Sequence, residues 1–263
     1  MEPEQETPLN ILGMWMNAVN TVYQVSATDV HHVWDEQTYS LPGYNVEFIL
    51  TSAGDTVHDP KNLQTRFVIW TIQRLMVHSW VTRSWKRTVG FPTWHGQSVG
   101  VVQIWSQEVS NAGSGNKNND SSITPGPTDN SLNNTGSFSN DDGDLRFIFR
   151  FEGSRLDSNL IFLTALEGMG VAAVEGLSSR CDRMFVMGNG VIFFQLRSKR
   201  DAFGNLLLRY GHVREALQRS ISHMFGSRTF AEMYLTVLLD GRNIGEGSWQ
   251  KWVPELGNGT AEQ

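Results

Sequence analysis

A few short motifs and a single cysteine are the residues of this chain whose types and spacing could do chemistry. Gly96-Gln-Ser98-Val-Gly100 has the spacing of a serine nucleophile elbow, and His95 stands directly before it. An elbow needs a strand before the serine and a helix after it, so that a tight turn lifts the hydroxyl clear of a sheet. Here a loop precedes the serine and a strand follows. Nothing but His212 or His223 further on could be paired with it as a base. The motif therefore reads as a glycine-flanked turn entering a strand. Gly168-Met-Gly170-Val-Ala-Ala173 matches a dinucleotide-binding fingerprint. That fingerprint must follow a strand, open a helix and be answered by an acid on the next strand. The next strand, VIFFQL, has no acid, and the glycines fall inside one helical pattern. No cofactor is expected.

His31-His32 with Asp35-Glu36, and His58 between Asp55 and Asp59, offer metal-ligating types. Adjacent histidines point to opposite faces of a strand, so one strand does not bring them together. Carboxylates at the entry to a helix are explained by capping and by the helix dipole. His78, His212 and His223 fall on helices and read as surface or hydrogen-bonded core histidines. No metal site is expected. Cys181 is the only cysteine, which rules out an internal disulfide and a thiolate cluster and reads as a small buried residue.

Nine tryptophans are many for 263 residues. Trp34, Trp94, Trp105 and Trp249 fall in or near loops and strand ends. Exposed, such rings stack on sugars or flat ligands; buried, they fill a core. Trp34, Trp94, His95 and Trp105 are the candidate ligand-binding residues. Asn119, Asn133 and Asn258 open glycosylation sequons, which matter if the protein is secreted.

The elements that must position these groups follow from composition and periodicity. Hydrophobic residues make up 40% and charged residues 18%, enough apolar material for a sizeable core in a soluble protein. The net charge of −6 argues against nucleic acid, which demands a basic stripe. Basic residues do cluster at Arg83, Lys86 and Arg87, and at Arg197, Lys199 and Arg200, where they read as solvated element ends. No apolar run approaches the ~18 residues of a membrane-spanning helix, so no membrane partner is expected. The acidic start, Met1 to Pro8, lacks the regions of a signal peptide. The chain is then either cytoplasmic or secreted with its leader removed.

Thr7-Pro8 reads as a helix start, giving a helix over 8–25. Tyr44 to Thr51 is a strand, and 60–86 a long helix with two apolar stripes. One stripe is Val68, Ile69, Ile72, Leu75, Met76 and Trp80; the other is Leu63, Phe67, Trp70, Val77 and Val81. Two stripes predict burial on more than one side. Val99 to Ser106 is the next strand. Residues 108–143 are Asn/Ser/Gly/Asp-rich and are expected to be disordered. Leu145 to Phe151 alternates as a strand, and Asp157 caps a helix running through Leu177. Gly168, Gly170 and Gly176 weaken that helix by ~1 kcal/mol each, which close packing would explain. A hairpin turning at Asn189-Gly190, an amphipathic helix from Leu206 to Met224 and a strand from Phe230 to Leu239 complete the order.

The C-terminal half thus reads β-α-β-β-α-β, the ferredoxin-like arrangement, and 44–107 reads as a further βαβ unit. The fold class is α+β, with helices on one face of a mixed sheet. The units are an N-terminal helix plus βαβ over 1–107, the insert 108–143, the βαββαβ unit 144–248 and a tail 249–263. The stretch from Phe230-Ala-Glu-Met-Tyr through Asp240-Gly-Arg-Asn-Ile-Gly-Glu-Gly-Ser248 resembles the ending of many uncharacterised filamentous-fungal proteins. The resemblance implies a fungal, secreted origin and brings no activity with it.

With no intact catalytic motif, the expected function is a non-enzymatic binding or interaction protein whose partner is a protein or a glycan. The second reading is a small-molecule enzyme or ligand carrier of α+β-barrel type, and the third a homodimer formed through the sheet's free face. That free face separates them. An aromatic pocket holding a His or Asp would favour the enzyme or carrier, and a flat face with surface tryptophans the binding module.

Overall fold

The computed structural model describes residues 9–54, 62–106, 135–139 and 144–252. In chain order the elements are α1 (Ile11–Val25), β1 (Val33–Trp34), β2 (Gln37–Ser40), β3 (Glu47–Ser52), β4 (Leu63–Gln64) and α2 (Thr65–Thr82). Then come β5 (Thr88–Gly90), β6 (Thr93–Trp94), β7 (Gln97–Ser98), β8 (Gly100–Trp105) and β9 (Thr135–Ser139). The C-terminal half adds β10 (Leu145–Arg155), α3 (Ser158–Glu175), β11 (Arg183–Gly188), β12 (Ile192–Ser198), α4 (Tyr210–Gly226), β13 (Ala231–Leu239) and β14 (Arg242–Lys251).

Two larger sheets form, in the orders β2-β3-β8-β5 and β11-β12-β14-β13-β10-β9. The helices stand between them: α1 and α2 pack on the four-stranded sheet, α3 packs on β11 and β12, and α1, α2 and α4 all pack on α3. Residues from both sides of the insert share one buried core. Trp15 of α1 makes the join, stacking on Phe162 of α3 at 5.6 Å and donating from Nε1 to Asn159 Oδ1 at 2.8 Å.

Local chemistry explains the helix starts. Asn10 Oδ1 accepts from the Gly13 N–H at 2.8 Å, so α1 begins at Ile11. The Thr7-Pro8 start lies outside the described residues. Asp157 caps α3 as the sequence predicts, accepting from the N–H groups of Asn159 and Leu160 at 2.8 and 3.3 Å. Asp157→Ala is expected to lower the unfolding free energy by about 1 kcal/mol, measured by urea denaturation, with Asp157→Asn keeping most of it. Helix α2 starts later than expected, because Leu63 and Gln64 pair with β1, and it ends at Arg83, whose φ is 55°.

The glycines of α3 mark close approaches. A Cβ on Gly168 would lie 2.8 Å from Leu217 of α4, and one on Gly170 2.8 Å from Gln73 Nε2 of α2. By length and composition α3 is apolar enough to cross a membrane, contrary to the expectation that no such run exists. Here much of that apolar surface packs against three helices and the sheet, with Ile161, Phe162, Ala165, Leu166 and Met169 fully buried, while Val171 and Val174 stay exposed.

The α+β class stands, and so do the β-α-β-β-α-β order and the covering of one face: along β10, Leu145, Phe147, Phe149 and Phe151 are buried while Arg146, Ile148, Arg150 and Glu152 are exposed. The pairing departs from expectation in three ways. Residues Arg242–Lys251, where no element is expected and whose last three fall in the tail 249–263, form β14, because Asp240 and Gly241 (φ 49° and 77°) turn the chain straight back. Strand β14 lies between β12 and β13, so the ferredoxin strand order is not formed. Among the described residues every strand pair is antiparallel, β3 with β8 included, where a mixed sheet and a βαβ crossover were expected.

Within the segment read as disordered, 135–139 pair with β10. The rest of that insert, Asp55, His58, Asp59, Asn119, Asn133 and Asn258 lie outside the described residues.

Candidate functional site

The six-stranded sheet buries one face on helices and leaves the other open. Strand alternation and register fix which side chains stand there. One row across the sheet is Phe185, Gln195, Ser248, Tyr234 and Arg150; the next is Arg183, Arg197, Glu246, Thr236 and Ile148. Between them is an open hollow of about 640 Å³, walled by Asp182, Arg183, Gln195, Arg197, Tyr234, Glu246 and Ser248. The small Ser248 on the central strand forms the floor, flanked by longer side chains on both neighbours. Behind it, Gly247 lets β14 lie close to β12: a Cβ there would come 2.2 Å from Gln195 O.

The charges on this face do not balance. Glu246 accepts from Lys199 at 2.7 Å and from Asn243 at 3.0 Å, and these bonds hold its carboxyl below the usual range. Asp182 pairs with Arg200 at 3.1 Å. A second hollow of about 320 Å³ adjoins, lined by Asp182, Arg197, Ser198, Lys199, Arg200 and Glu246. Both acids of the two hollows are thus engaged by Lys199 and Arg200, leaving Arg183 and Arg197 in excess on a chain whose net charge is −6. The two arginines face each other directly across β11 and β12. Like charges placed so are destabilising, an effect offset only in part by Glu246, which stands opposite Arg197 on β14 without forming an ion pair with it. Arg183 also lies over the Phe185 ring at 5.4 Å. Among the described residues no carboxylate forms an ion pair with either arginine. Neighbouring polar groups are held in place: Gln195 Nε2 donates to Ser248 Oγ at 3.1 Å and Gln250 Nε2 to Tyr234 Oη at 2.9 Å. Such an array of guanidinium, amide and hydroxyl groups suits recognition of planar anions.

The residues singled out from sequence lie elsewhere. Trp94 and His95 come together, ring centroids 4.7 Å apart, at the tip of the β6–β7 hairpin, where His95 (φ 49°) and Gly96 (φ 77°) make the turn. Trp94 is 45% exposed, with Phe67 beside it at 5.6 Å and the Arg66 guanidinium over it at 4.9 Å. Trp34 is half-buried, donates to Thr65 Oγ1 at 2.9 Å and packs edge-on against Tyr39. Trp105 ends β8 with the Arg87 guanidinium 4.2 Å above its ring. Only Trp94 and His95 of the four make contact with each other.

Ser98 donates to Gly100 O at 3.2 Å and leads into strand β8, so it sits on no elbow. Gly168 to Ala173 lie within α3. Burial pushes the Cys181 thiol up to about 11, far from a nucleophilic thiolate. His223 packs on the rings of Phe149 and Phe151, and burial lowers its pKa. Among the described residues no three His, Cys, Asp or Glu side chains gather as metal ligands would.

Sequence reasoning missed Arg183, Gln195, Tyr234, Glu246 and Ser248, which meet only through the pairing of four strands. The visible signal was the run Arg197, Lys199 and Arg200, read as a solvated element end. Comparisons with known protein families, with curated proteins and with solved structures found no match to this chain.

Proposed function

We propose that this chain is a non-enzymatic binding protein that holds an acidic segment of a partner protein on the free face of its six-stranded sheet. The observation that carries this reading is the facing pair Arg183 and Arg197, without carboxylate partners among the described residues and set beside a polar hollow. A carboxylate-bearing segment laid across β11 and β12 would relieve their repulsion and accept charge-assisted hydrogen bonds from both. The enzyme or carrier alternative called for an aromatic pocket with a His or Asp, and Tyr234 is the one aromatic residue lining this hollow. This hollow is open, has no histidine, and its Asp182 is held by Arg200.

The test is a titration with a labelled oligoglutamate peptide, against oligolysine and a uronic-acid oligosaccharide as comparisons. Wild type is expected to bind oligoglutamate, more weakly as salt rises, and not oligolysine. Arg183→Ala/Arg197→Ala is expected to weaken binding by about tenfold or more, since hydrogen bonds to charged groups contribute ~1.5–3 kcal/mol each. Equal binding by the double variant would sink the reading. Binding of the oligosaccharide alone would replace the protein partner with an anionic glycan.

A further inference from the structure

Of the second apolar stripe, expected to be buried, Leu63 is buried and Phe67 half-buried, while Trp70, Val77 and Val81 of α2 are exposed. Trp70, Arg74, Val77 and Val81 follow one another at helical spacing on the outer face, with Trp70 50% and Val81 65% exposed. Beside it runs a matching stripe of α3, Leu163, Glu167, Val171 and Val174, with Val174 67% exposed. Two hollows of about 440 and 360 Å³ lie between the helices and share Trp70, Gln73 and Glu167. The helices are antiparallel: Arg66 lines one hollow with Glu175, and Arg74 the other with Leu163. Contiguous apolar surface of this kind on a folded chain marks an interaction site.

The charges on this face say what covers it. Helix α2 carries Arg66 and Arg74 and no acid; α3 carries Glu167 and Glu175 and no base. Among the described residues no ion pair joins the two helices. A two-fold interface must be complementary to itself. An all-basic helix beside an all-acidic, antiparallel one meets that condition. Rotation about an axis lying parallel to both helices and between them sets α2 of one copy over α3 of the other. Arg74 then stands at the height of the partner copy's acidic Glu167 position, and the apolar stripes close on each other around these charged pairs, with Arg66 and Glu175 at one end.

We infer that the outer face of α2 and α3 pairs with the same face of a second copy of this chain. An anionic membrane surface is a poorer occupant, because the acidic stripe of α3 repels it. The surface is separate from the open sheet face, so the peptide-binding proposal can fail without touching this one.

The experiment is sedimentation velocity over a wide concentration range. Wild type is expected to dimerise reversibly. Trp70→Glu is expected to raise the dimer Kd by about tenfold or more, as loss of a central aromatic anchor does. Arg74→Glu and Glu167→Arg are each expected to be monomeric alone, through two repulsive contacts per dimer. Mixed together they are expected to associate, since the mixed dimer has one native and one reversed contact, both attractive. These side chains are on the outer face, and circular dichroism verifies folding; should Trp70→Glu unfold, Val174→Glu tests the same contact. A monomeric wild type, a dimer that survives both Trp70→Glu and Arg74→Glu, or a mixture that stays monomeric would each overturn the inference.

Discussion

Trp15→Ala is expected to lower the unfolding free energy by about 3–5 kcal/mol, the usual range for emptying a large aromatic site in a core. Trp15 is fully buried, stacked on Phe162 at an interplanar angle of 7° and met edge-on by Trp85 at 5.8 Å. Its indole also supplies the N–H that Asn159 Oδ1 accepts. The alanine variant loses the packing of three rings and leaves that oxygen without its donor. Trp15→Phe retains a ring against Phe162 and is expected to lose less, about 1–3 kcal/mol for the missing hydrogen bond and the smaller volume. Urea denaturation followed by two probes, one near each sheet, measures both. Because Trp15 joins α1 to α3, a single transition should move to lower urea with its slope unchanged. Two separate transitions, only one of them shifted, would show that the two halves do not share a core.

The second large effect is at Trp249. Were it part of a tail, Trp249→Ala would change stability by no more than about 0.5 kcal/mol, as surface changes do. In the structure it is fully buried in β14, 4.9 Å from the Phe194 ring, with Nε1 donating to Ser220 Oγ of α4 at 3.0 Å. By register it stands between Phe194 and Met233. The expected loss is about 3–5 kcal/mol. Ser220→Ala is expected to cost less, about 1–3 kcal/mol, since it removes little volume but leaves the buried Trp249 N–H without its acceptor. A near-neutral Trp249→Ala would mean that β14 is not part of the sheet.

That strand shows where the sequence stops informing. Helices α1, α2 and α4 were legible because their apolar residues recur at helical spacing, and α3 because Asp157 caps it. Strand β14 was not: between Arg242 and Lys251 the apolar signal is Ile244 and Trp249 alone, and Gly245 and Gly247 break the alternation. Those glycines hide the strand pattern, yet a Cβ on Gly245 would meet Arg197 O and Leu208 at 3.1 Å. Their presence is a packing requirement visible only once β12 is the neighbour. Strand β9 hid for a related reason. Its residues Thr135–Ser139 carry the same polar, glycine-containing composition as the insert around them, and hydrogen bonds to β10 determine its state.

The candidate site was less legible still. Arg197, Lys199 and Arg200 stood out as a basic run, but Arg183, Tyr234 and Ser248 come from other strands and meet them through pairing. Both stripes of α2 are apolar and the helix is covered on more than one side, as expected, but Trp70, Val77 and Val81 of the second stripe stay exposed. Periodicity reports which residues share a helix face; it does not report whether anything packs on that face.

Amide chemical-shift changes during an oligoglutamate titration map whether the open face of the six-stranded sheet is the binding surface. Perturbations are expected to be confined to 182–185, 195–200, 234 and 246–248, saturating together. Perturbations centred instead on the Trp94–His95 hairpin, or on the outer face of α2 and α3, would contradict that proposal.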